Sequence, residues 1–232
     1  IYPSHNLHML LYAAAFDGQG AIAMQAGKDY AKSTGNTMFQ VMTLLRFGRF
    51  DEILEVENRP HSDIPGGMWD FAQGYAHLKT GAPDFAQVYL QRLSTTADTS
   101  EAKYRGHPAE KLLGTLVGVL EGEIHWVEGD MKRAIAAFKR AVDREDAMTY
   151  DEPEPLPFSA RHWLGAAYLE VEQYEQAEKT FQEELDDHPN NGWSYHGLLQ
   201  ALKGQSKPTE EIEQKLKDSW ERSDIWLPSS KF

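Results

Sequence analysis

The chain of 232 residues carries 23 Lys and Arg against 36 Asp and Glu, a formal net charge of −13, with nine His, six Trp and no Cys. Absence of cysteine excludes disulfides, thiolate metal sites and a cysteine nucleophile, and an acidic chain without a Lys/Arg cluster argues against a nucleic-acid partner. The longest apolar stretch runs from Leu7 to Phe16, broken by His8, well short of the roughly 20 residues a membrane span requires. The opening IYPSHNLH has no initiator Met, basic n-region or small-residue cleavage site, so it reads as a truncated or processed end and not as an intact signal peptide.

Helical periodicity covers almost the whole chain, punctuated by turn residues. In chain order, Leu11, Ala14 and Ala23 flank a turn at Gly18; Val41, Leu44 and Ile53 flank one at Gly48; Gly74, Ala86, Leu90 and Leu93 flank one near Gly81. Gly122, Ala134, Phe138 and Ala141 then surround Gly129, and Leu198, Leu202, Ile212 and Leu216 surround a turn at Gly204 to Pro208. Between these lies the clearest pair, with Leu164, Ala167 and Tyr168 on one helical face, Ala177, Phe181 and Leu185 on the next, and a turn at Glu172 to Tyr174. The spacing predicts helix hairpins over 4–34, 36–59, 66–96, 107–145, 158–189 and 191–222 with a tail at 223–232, all in one superhelical domain. Insertions are expected around Ser94 to His107 and Glu145 to Pro157.

Leu164-Gly165-x2-Tyr168, Ala177-x3-Phe181 and Pro189 resemble the tetratricopeptide repeat pattern W-x2-L-G-x2-Y, A-x3-F, P, although Arg161 stands where the family has Trp. The resemblance implies an all-α, right-handed α-solenoid of about six antiparallel hairpins. YPSHNLHMLLYAAAFDGQ, DEPEP, NNGWSYHGLLQAL and SWERSDIWLPSSKF further resemble the C-terminal half of long bacterial repeat proteins. That implies an additional N-terminal half and a soluble protein of the bacterial cytoplasm.

In the tetratricopeptide family the first helix of each hairpin lines a concave groove. Carried onto this chain, the groove candidates are His5, His8, Tyr12, Met42, Phe71, Tyr75, Glu123, Trp126, His162, Trp193 and His196. A lining so rich in aromatic, His and Met side chains suits an apolar or adaptable ligand. His5 and His8, at i and i+3, are placed to share a transition metal if a third ligand arrives from another hairpin, with Glu123, His162 or His196 as candidates. Otherwise no cofactor is predicted. Trp220 and Trp226 are expected to hold the last helix and the tail against the final hairpin. From Asp151 to Asp187, eleven acids and two bases form a solvated face or a guide for a basic partner.

P-loop, zincin, nucleophile-elbow and EF-hand signatures are missing, so the chain reads as a non-enzyme. The expected function is a scaffold that binds a protein, a peptide or another part of its own chain in the groove. The alternative is a metal- or small-ligand-binding protein whose pocket is completed by the missing N-terminal half. Self-association through an apolar end is a third expectation.

Overall fold

The structure, a computed structural model, describes residues 2–232. Among the described residues, twelve α-helices follow one another as hairpins: α1 (Tyr2–Phe16) with α2 (Gly20–Thr34), α3 (Met38–Arg46) with α4 (Phe50–Leu54), and α5 (Asp63–Lys79) with α6 (Pro83–Thr99). Then come α7 (Ala109–Val127) with α8 (Met131–Asp146), α9 (Arg161–Glu170) with α10 (Tyr174–Asp187), and α11 (Gly192–Gly204) with α12 (Glu210–Ser219). The chain is an all-α helical solenoid.

The hairpin turns share one device. Gly18, Gly48, Gly81 and Gly129 all take positive φ, which glycine adopts without a Cβ clash, while Glu172 and Ser206 take it in the last two hairpins. Packing explains the A-x3-F spacing. The Phe181 ring lies against Gly165 of α9 and Gly197 of α11, where a Cβ at either glycine would run into it. The second helix of one hairpin thereby locks onto the first helix of the next.

α6 continues to Thr99, beyond the expected end at 96, because Thr95, Thr96 and Thr99 turn their hydroxyls onto carbonyls one helical turn back and leave the helix unbroken. The connection after it is a two-stranded ladder, β1 (Lys103–Tyr104) and β2 (His107–Pro108), turned by Arg105 and Gly106 at positive φ.

First and last hairpins touch. Trp193 Nε1 donates to the carbonyl of Ala15 at 3.0 Å, and Arg222 grips Asp17 through two bonds of 2.9 Å. Asp224 accepts from the N–H groups of Gly20 and Ala21, satisfying the free donors at the start of α2. Trp220 packs over Gly18 and Gly192, across both hairpins. Trp226, in contrast, is 89% exposed and holds nothing, since the chain turns inward only after it. One contiguous apolar core runs from Leu11 to Leu202, built mainly from the inner, odd-numbered helices.

Candidate functional site

The C-terminal ends of α3, α5 and α7 and the start of α9 converge on the inner face, and segment 228–232 lies across them. Ser229 shapes the segment by accepting from the Lys231 N–H at 3.1 Å, and Ser230 donates to the His162 carbonyl at 3.1 Å. The Lys231 ammonium donates to Glu123 Oε1 at 2.7 Å and sits 3.6 Å over the Trp126 ring. Its backbone carbonyl accepts from Arg46 Nη1 at 2.8 Å. Phe232 meets Phe50, Tyr75 and Trp163 edge-on, at centroid distances of 5.4, 5.8 and 6.4 Å.

The charges under this segment are buried. Glu123 is fully buried and also accepts from Lys79 at 2.5 Å. Burial pushes its carboxyl up, but Lys231 and Lys79 outweigh that and hold it below the usual carboxylate range. Arg46 is fully buried, stacked 3.6 Å over Trp193, and its Nε and Nη2 have no hydrogen-bond partner among the described residues. Beside the segment opens a cleft of about 590 Å³ lined by Trp126, Glu170, His196, Lys203, Pro228 and Lys231.

A second polar region lies between α1, α10 and the connections that precede α7 and α9. Arg105 of the β-turn pairs with Asp151 at 2.6 Å, donates to the Glu152 carbonyl, and approaches His8 Nδ1 at 3.3 Å, while His107 Nε2 lies 3.2 Å from Asp151. The two insertions therefore clasp each other and α1. Deeper in, Glu184 is fully buried; it accepts from Asn191 Nδ2 at 2.9 Å and from Ser194 Oγ, and lies 2.8 Å from His188 Nδ1. His188 also faces Glu154 at 3.2 Å. Burial works against the imidazolium, but Glu154 and Glu184 prevail and raise His188 to about 10. Burial pushes the Glu145 carboxyl up to about 8 against the Ala160 N–H and the Ser159 hydroxyl, which bond to it.

Among the predicted groove residues, Tyr75, Glu123, Trp126 and the backbone of His162 meet around segment 228–232, and His196 faces the adjoining cleft. Four others, and the ring of His162, are not open groove surface. Met42 and Phe71 are sealed in the core, Trp193 is enclosed by Arg46, Trp220 and Ala15, His162 points its ring at Ser194 and Asn191, and His8 stacks on Phe39 at 4.0 Å. The inner faces of the helices meet one another more closely than an open concave surface would require. Tyr12 belongs to the second region, its ring tilted against Phe16 at 4.8 Å, and burial together with the nearby Glu154 carboxylate pushes its hydroxyl well above the usual range.

His5 is exposed, whereas burial and Arg105 lower His8 to about 3. No group of three or more His, Asp or Glu placed to hold a metal ion exists among the described residues. The His5–His8 pair thus lacks the third ligand from another hairpin on which the metal expectation depended. Asp151, Glu154 and Glu184 of the acidic run turn toward partners inside the molecule, while Glu175, Glu183 and Asp186 face solvent.

Arg46, Lys79, Lys231 and Phe232 were absent from the sequence-predicted set. Arg46 sits at the end of MFQVMTLLR, where a terminal arginine reads as a solvated helix end. The one available signal was the Lys-Phe pair following a stretch without helical periodicity.

No helix among the described residues is long and apolar enough to cross a membrane. No protein-family model and no curated protein matches the chain. Among solved structures, the chain is similar to that described as the crystal structure of MamA protein, at 15% identity over 98% of this chain and 99% of that one, with a TM-score of 0.42.

Proposed function

We propose that this chain is a tetratricopeptide-like scaffold whose inner face binds an extended peptide or protein segment. The observation that carries the reading is segment 228–232, which occupies that face as a peptide ligand would, through side-chain anchors at Lys231 and Phe232 and a backbone anchor at the Lys231 carbonyl. Extended segments bind well to rigid helical surfaces because the surface loses little entropy on binding. The bonds to Glu123 and Arg46 are charge-assisted and shielded from water, the setting in which a few polar contacts fix orientation. Glu123 at the base favours a basic segment, in keeping with the acidic balance of the whole chain.

The test is selection of random extended peptides against the full chain carrying Lys231→Ala and Phe232→Ala, which loosens the resident segment. Bound peptides are expected to slow amide exchange at the ends of α5 and α7. Peptides that map to the outer helices α2, α6 and α10 would defeat the reading.

A further inference from the structure

Resting on the groove reading above, we infer that the inner face selects partner segments in which an unmodified lysine is followed directly by an aromatic residue, and that segment 228–232 is a resident competitor for that site. Three adjacent features of the molecule recognise such a pair. Glu123 and the Trp126 face form a recess for one ammonium group, since Lys231 Nζ lies 2.7 Å from the carboxylate and 3.6 Å from the ring centre. Arg46 Nη1 marks the carbonyl between the two residues. Phe50, Tyr75 and Trp163 form an aromatic wall for the following side chain. Side chains from five helices, α3, α4, α5, α7 and α9, fix these features relative to one another, so the spacing of lysine to aromatic ring is built into the scaffold.

The recess distinguishes the state of the lysine. Glu123 accepts an N–H bond, so the ligand nitrogen must carry hydrogens. A trimethylated lysine keeps its charge and its attraction to an aromatic face but has no hydrogen to donate. An acetylated lysine loses the charge.

The resident segment is an incomplete occupant. Arg46 is fully buried, yet Nε and Nη2 find no acceptor among the described residues, and a buried donor without an acceptor is costly. A partner that brings a further carbonyl or carboxylate beside its lysine satisfies what the resident leaves open. That gives it an advantage over a competitor held at high local concentration by its attachment.

The experiment measures fluorescence anisotropy of a labelled peptide, Pro-Ser-Ser-Lys-Phe with both ends blocked. It is added to the full wild-type chain and to the full chain with Lys231→Ala and Phe232→Ala. Binding to the variant is expected to be at least about tenfold tighter than to wild type, because a resident docked nine-tenths of the time weakens apparent affinity by about that factor. On the same variant, replacing the peptide lysine by norleucine, acetyl-lysine or trimethyl-lysine is expected to weaken binding about thirtyfold or more. Adding Glu123→Gln to the variant is expected to do the same. The peptide series needs no further change to the protein, so its result stands even if Glu123→Gln folds poorly.

Equal binding of the lysine and norleucine peptides, in competition with each other, would overturn the lysine selection and leave the groove reading intact. If neither this peptide nor any selected peptide binds the variant, both fall. A dimer mass for the wild-type chain in light scattering, lost in the variant, would assign the face to a second copy and overturn the inference.

Discussion

Two of the regions in which the molecule buries charge are built in opposite ways. In the Glu184 region the buried carboxylate meets several fixed partners from structured parts of the chain: Glu184 alone engages His188, Asn191 and Ser194, while two ring nitrogens nearby without a partner among the described residues, His8 Nε2 and His107 Nδ1, belong to imidazoles and not to a guanidinium. At the inner face Glu123 is held by two lysines, Lys79 of α5 and Lys231 of segment 228–232, and Arg46 has donors left over. Buried charge is tolerated where its partners are complete and rigid. The first region therefore closes the solenoid, and the second has the incomplete pairing that the proposed exchange of a partner for segment 228–232 requires.

The sharpest test of this contrast compares two isosteric changes. Glu184→Gln turns an acceptor-only carboxylate into a group that also donates, against Asn191 and Ser194 that already donate to it, and strips His188 of a buried counter-charge. A loss of about 3–5 kcal/mol in urea unfolding is expected, the range for breaking a buried charge pair. Glu123→Gln is expected to cost clearly less, because Lys79 and Lys231 each have a path to solvent, with side chains 22% and 10% exposed. The reverse order would erase the distinction between the two regions.

The pH dependence separates them further. His188 takes up a proton on folding, because its pKa rises from the ordinary 6.5 to about 10. Its contribution is therefore fully present below about 6.5 and lost as pH rises through about 10. Glu145, raised to about 8, changes stability in the same direction over a lower window, from about 4.5 to 8. Groups facing His188 are Glu154 and Glu184 at its two nitrogens and the Phe16 ring at 4.9 Å. Melting temperature is expected to fall between pH 8 and 10, and His188→Gln to flatten that fall. An unchanged slope in the variant would show that His188 carries no charge in the folded chain.

The repeat architecture was legible because it depends on local rules: small residues where helices cross, turn residues at positive φ, and apolar faces with a period of 3.6. Gly165, Ala177 and Phe181 announce their packing in their spacing. The candidate site was legible in part. Tyr75, Glu123 and Trp126 are on inner helices, where a repeat ruler looks, but Arg46 is bound by a carbonyl 185 residues away and Arg105 reaches across two insertions. Such pairings follow from closure of the whole solenoid and leave no periodic trace. The ruler likewise places His8 and His162 on one stripe, while in the folded chain His8 stacks on Phe39 and the His162 ring faces Ser194.

Within the closing region, the clasp between the insertions is its outermost part. Asp151 is 12% and Arg105 29% exposed in their side chains, so solvent screens their attraction. Asp151→Asn is expected to lower stability by about 1–2 kcal/mol, the range for hydrogen bonds to charged groups, and to loosen 147–160 first. Faster amide exchange confined to that connection and the β-turn is the expected signature. Exchange that spreads at once into α9 and α10 would mean that the clasp and the Glu184 region open as a unit.

The smallest expected effect bears most directly on the inner face and its proposed exchange. Lys231→Ala removes one of two ammonium groups from Glu123 and the cation over Trp126, but Lys79 remains, and the freed segment regains conformational entropy. Because Lys79 still compensates Glu123, the penalty of an unpaired buried charge is avoided and global stability is expected to change by about 1 kcal/mol or less, while amide exchange in 228–232 rises sharply, since local opening need not await global unfolding. A loss approaching that of Glu184→Gln would make the segment a structural part of the core. The inner face would then have no room to exchange it, because a ligand site and a keystone make opposite demands on the same five residues.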